Sequence, residues 1–147
     1  MRDFRGIELD ESGLCPGATA EAVAQVERDL GFELPGVYKE FLAFADGGVV
    51  GNFIFYSVGD GIHPAERLLP AYRRGGPDCP IVAIGRDASD DFGLLRTELS
   101  GASTATPAIH FLSHETWETV RAAPSFLEFL QRIAALKPGE PLHVDAP

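Results

Sequence analysis

Cysteine is nearly absent from this chain: Cys15 and Cys79 are the only two in 147 residues. They share no CxxC spacing, so they offer neither a disulfide framework nor a zinc-ligand pattern. Free thiols in a reducing cytoplasm are the expectation. Long apolar runs are missing too, and nothing approaches the roughly 20 residues of a membrane span. Met1 to Gly6 contains no apolar signal core, which makes the cytoplasm the expected compartment. Basic residues are scarce, with 12 Lys and Arg against 22 Asp and Glu, a net charge of −10. The excess is spread over both halves, so there is no acidic tail. Such a surface repels nucleic acid and anionic lipid and favours a basic partner by electrostatic steering. It also serves plain solubility.

What is present is a core. Hydrophobic residues make up 45% of the chain and ten of them are Phe, enough for one domain without disulfide staples. No internal repeat and no second domain boundary is visible. The chain reads as an arm over residues 1–18, a folded domain over 19–137 and a tail over 138–147. The arm alternates at Ile7-Glu8-Leu9-Asp10 and is open to a helix, an edge strand or a partly ordered segment.

Thr19 can N-cap a first helix, with Glu21 near the positive end of its dipole. Val23, Val26 and Leu30 recur at helical spacing, and Gly31 is a left-handed stop from which Phe32 can fold back. Pro35 suits the first turn of a second helix, which presents Val37, Tyr38, Phe41, Leu42 and Phe44. Asp46-Gly47-Gly48 ends it. Val49 to Val58 is β-branched and aromatic, and fits two short strands around Gly51-Asn52 or one bulged strand. Pro64 to Arg74 reads as a short helix limited by Pro70. Ile81 to Ile84 is a strand buried on both faces. Phe92 to Leu99 returns as a strand, and Ala108 to Leu112 is another. Trp117 and Val120 are expected in a helical turn. Ser125 with Glu128 forms a capping-box pair opening a last helix, whose stripe is Phe126, Phe129, Leu130 and Ile133. Helices at both ends around antiparallel strands define a single α+β domain: a mostly antiparallel central sheet flanked by two N-terminal helices and a C-terminal helix.

The order of these pieces resembles the SUKH superfamily, which includes Smi1/Knr4 domains and many bacterial immunity proteins. The resemblance is carried by Glu27, Leu30-Gly31, Leu34-Pro35, Tyr38, Phe41-Leu42 and Gly47-Gly48. It continues through Ile81 to Asp87, Ile109 to Glu115 and Ser125 to Leu130, and covers roughly residues 19 to 134. One departure sits in the acidic turn, where the family often has glycine and this chain has Asp90. The resemblance implies protein binding and not catalysis. Its sharper form is an immunity protein that neutralises a toxin, often a nuclease, through an acidic surface. The alternatives are a Smi1/Knr4-like scaffold or regulatory module, or a small-ligand binder.

Candidate chemistry is sparse. Asp87, Ser89 and Asp91, with Glu98 at the twelfth position, echo a calcium loop, but Phe92 stands where that loop needs glycine. A β-turn held by Asp and Ser is the simpler reading. His63, His110 and His114 share no metal-ligand or catalytic spacing. His110, inside an apolar strand, either alternates outward or sits satisfied in the core. Cys15 lacks a neighbour in sequence that would lower its pKa. No metal, cofactor or catalytic residue is therefore expected. Glu27, beside the apolar stripe, is expected to take backbone N–H groups from the Gly31–Pro35 connection, against the alternative of a solvated glutamate. The expected partner-binding residues are exposed loop acids, Asp60, Asp87, Asp90, Asp91 and Glu115. Trp117 is either an interface anchor or a cover over the sheet edge.

Overall fold

A computed structural model describes residues 1–59, 67–99, 107–113, 115–137 and 139–142. The chain folds as one α+β domain. Its strands are β1 (Arg2–Phe4), β2 (Ile7–Leu9), β3 (Gly48–Val50), β4 (Phe53–Phe55), β5 (Ile81–Arg86), β6 (Asp91–Leu95), β7 (Ile109–Leu112) and β8 (Thr119–Ala123). Its helices are α1 (Ala20–Leu30), α2 (Gly36–Phe44), α3 (Leu68–Gly75) and α4 (Phe126–Ala134). β1 and β2 form a separate hairpin, and β3 to β8 form an antiparallel sheet in chain order. Three of the five links in this sheet are short turns, whereas β4 reaches β5 through a longer connection that carries α3, and β6 reaches β7 through a longer one that begins with a 3-10 turn.

The helix ends follow their capping chemistry. The Thr19 hydroxyl accepts from the Ala22 N–H at 3.1 Å, and Ser125 accepts from Glu128 N–H at 3.1 Å. Gly31 closes α1 with φ of 86°. Pro35 stands one position before α2, as its cap residue.

Sheet register decides what each face carries. Cross-strand partners project to the same side, and successive rows alternate. The row Phe55, Gly85, Phe92, Phe111, Val120 faces one side. On that side Phe92 packs on Phe129 with ring centroids 4.9 Å apart, and Phe55 packs on Phe41 and Phe126. α2 and α4 therefore cover this face with a continuous aromatic core. Gly85 is required there, because a Cβ would collide with the Phe92 ring. The adjacent row, Ile54, Arg86, Asp91, Leu112, Thr119, faces the other side, where α3 packs against β5.

Several sequence expectations are refined. Residues 1–18 begin with the β1–β2 hairpin, whose Phe4 is buried against Phe41 and Phe44. Val49 to Val58 resolves as two strands around Gly51-Asn52. The strand expected over Phe92 to Leu99 stops at Leu95 and passes into a 3-10 turn over Arg96–Glu98. The helical turn expected at Trp117 and Val120 is instead a tight turn leading into β8. The Ser113 and Glu118 backbones bond at 3.0 Å, and Thr119 to Ala123 pair with β7. Ala122 and Ala123 favour helix locally, but pairing with β7 overrides that preference.

Candidate partner-binding face

Four of the six residues expected to bind a partner converge. Asp87, Asp90, Asp91 and Trp117 line one cleft of about 370 Å³ on the sheet face beside α3. Tyr56, Tyr72, Arg74 and Arg86 complete its walls. Glu115 is exposed on the same turn as Trp117 but does not line the cleft. Asp60, like His63 and His114, lies outside the described residues.

The turn between β5 and β6 forms the cleft's acidic wall. Asp87 accepts the N–H groups of Ser89 and Asp90, both at 2.8 Å, and its own N–H donates to the Asp90 carbonyl at 3.0 Å. This is the self-bonded β-turn expected from the sequence. It takes up one oxygen of the carboxylate that would head a calcium loop. Among the described residues no group of three His, Cys, Asp or Glu is placed to hold a metal ion. Asp90 does not adopt a positive φ, so the glycine common here in the SUKH superfamily is not required. Asp91 accepts from the Tyr56 hydroxyl at 3.0 Å. Burial, and then the Asp91 charge, push that phenol above its ordinary range. Asp90 makes no side-chain hydrogen bond among the described residues.

Trp117 stands opposite. It is 55% exposed, which removes the reading of a core cover. Its φ of 60° is a left-handed conformation that bulky residues rarely adopt. The Trp117 N–H bonds the Ser113 carbonyl at 2.9 Å, which holds the turn and presents the indole outward.

Three side-chain arrangements tie segments of the fold together. Glu27 accepts the Leu34 N–H at 2.7 Å and lies 3.4 Å from the Lys39 ammonium. The expected loop-fixing role is therefore present, with the Lys39 ammonium brought beside the carboxylate from α2. Two further devices escaped sequence reading. Asp46 is buried and accepts the N–H groups of Val58 at 2.7 Å and Gly59 at 2.9 Å, while its carbonyl accepts from Ser57 at 2.5 Å. Arg96 donates to the Cys79 carbonyl at 2.5 Å, the Gly76 carbonyl at 2.8 Å and the Tyr72 hydroxyl at 3.0 Å. It also lies 4.7 Å from the centre of the Tyr72 ring. One guanidinium thus binds the C-terminal end of α3 to the sheet and sets the wall opposite the acidic turn. The only sequence signal for Arg96 is its position just past a strand.

His110 departs from both readings offered for it. It is buried, and among the described residues neither ring nitrogen has a hydrogen-bond partner. Its Nε2 is 3.9 Å from Glu98, too long for a hydrogen bond. Burial lowers its pKa, the Glu98 carboxylate raises it and Arg121 lowers it, leaving a net downward shift. Neither His110 nor Cys15 lines this cleft, and both cysteines are buried free thiols.

The order of elements and the motif residues now have an independent counterpart. A profile of the SMI1 / KNR4 family (SUKH-1) matches residues 17–132. The chain belongs to that family. A search of curated proteins finds no match. Among the described residues no helix is long and apolar enough to cross a membrane.

Proposed function

We propose that this domain is a non-catalytic immunity protein that binds and neutralises a basic toxin domain, a nuclease being the class that best fits its charge. The observation that carries the reading is the meeting of Asp87, Asp90, Asp91 and Trp117 at one cleft. Membership of the SMI1 / KNR4 family supports it at the level of the class. The net charge of −10 supports an acidic surface that occupies a nucleic-acid groove in place of phosphates. Asp90 supports it most locally, since it departs from the family's common glycine and is unspent within the fold. Trp117 supplies the rigid apolar anchor around which such charges act.

The test is affinity capture from the native cell lysate at low salt, with elution by rising salt. A basic toxin domain should be retained, leave as salt rises, and lose its activity when mixed with this protein at equal molarity. A captured partner indifferent to salt, or retained without loss of any activity, would move the function to a scaffold.

A further inference from the structure

The acidic turn is a ridge with a depression on each side. Residues 86–90 wall the cleft that holds Trp117, and they also wall a wider groove of about 770 Å³. The floor of that groove is apolar: Phe53, Phe111, Val120 and Leu142. Phe53 and Phe111 sit 6.5 Å apart, ring centre to ring centre, at the margin of the aromatic core. Val120 is 38% exposed and is one of four large apolar residues exposed in the described chain. Trp117 is another, three positions earlier on the same hairpin. One short segment thus sets an apolar residue on each side of the acidic ridge.

The rim decides the occupant. Asp87, Asp90 and Glu140 border the groove, against Arg86 as the one cation lining it among the described residues. A neutral apolar peptide would leave the excess of carboxylates over cations on that rim unmatched. A segment with cations on both sides of an apolar residue satisfies floor and rim together. We propose that the groove is a second docking subsite, which takes an apolar side chain flanked by lysines or arginines on the protein partner. This inference rests on the protein-binding reading and extends it to the far side of the ridge.

The probe is a capped synthetic peptide, Lys-Arg-Leu-Leu-Arg-Lys, titrated into the ¹⁵N-labelled full chain and followed by NMR. Saturable shifts are expected at the amides of residues 52–54 and 120. A control with both leucines replaced by serine should bind about tenfold more weakly or worse, since burial of an apolar side chain drives the contact. Val120→Ser should weaken the leucine peptide by a similar factor. Leu142→Ser, away from the sheet, should do so as well and guards against a folding defect in the first variant.

Equal affinity of the two peptides would overturn the proposal, as would shifts confined to Tyr72 and Trp117 or no saturable binding. Binding that emerges only when residues 143–147 are removed would make the chain's own terminus the occupant. Groove shifts that grow with protein concentration alone would make it a second copy. Either result also overturns the proposal. Failure here is distinguishable from failure of the functional reading. Partner capture lost with Asp90→Lys but kept with Val120→Ser sinks only the groove, whereas capture kept with both sinks the acidic surface itself.

Discussion

Glu27 is one carboxylate with two obligations, the Leu34 amide and the Lys39 ammonium. Glu27→Ala should cost about 1–3 kcal/mol, because it strands a part-buried N–H and loses a charge-assisted bond. Chemical denaturation measures this, and an unchanged unfolding midpoint would contradict the role. Asp46→Ala should be at least as damaging, about 2–3 kcal/mol, since two backbone donors lose their acceptor in a buried site. His110 governs a pH dependence. Its folded pKa lies below its ordinary value of 6.5. Above 6.5 the ring is neutral in both states and its share of stability is complete. As pH falls below 6.5 the unfolded chain takes the proton first, and stability is lost until the folded pKa is passed. Melting temperatures between pH 8 and 5 should therefore fall for the native chain and fall less for His110→Leu. Equal slopes would contradict the buried, neutral histidine.

Elements differ in how far the sequence discloses them. α1 and α4 are legible because their caps and apolar stripes are local: Thr19 bonds Ala22, and Ser125 bonds Glu128. Glu27 is legible for a related reason, with its acceptor role played out only seven residues away. β8 is not legible. Its Ala122 and Ala123 favour helix, and its strand state depends on pairing with β7 and on Arg132 donating to the Ala122 carbonyl at 2.8 Å. The Asp46 and Arg96 arrangements join residues 11 to 24 positions apart, a separation at which no spacing rule points to a partner. The acids of the 87–91 turn could be named from composition and turn chemistry. That they share a cleft with Trp117 could not, because that follows from the β8 pairing. Arg96→Ala should detach the end of α3 at a cost of about 2 kcal/mol and broaden the NMR signals of Tyr72 to Gly76. Intact signals there would show that the guanidinium is not what holds the wall. Trp117→Gly should change stability by less than about 1 kcal/mol, since relief of left-handed strain offsets the added backbone entropy. The same change should weaken partner binding, which separates the two properties at one position.

At the scale of the whole molecule, the sheet presents one face to α2 and α4 and leaves the other partly open beside α3. An acidic domain of this kind should meet a basic partner quickly at low ionic strength and more slowly as salt rises, because surface charges are screened beyond about 8 Å at physiological salt. The central claim is that the ridge and the indole bind a basic protein. The most direct measurement is parallel capture from one native lysate, at low salt, by the native chain and by an Asp90→Lys, Trp117→Gly double variant shown by circular dichroism to be folded. The native chain should retain a basic protein that rising salt releases, and the double variant should lose it. Retention of the same protein by both, or of no basic protein by the native chain, would contradict the account.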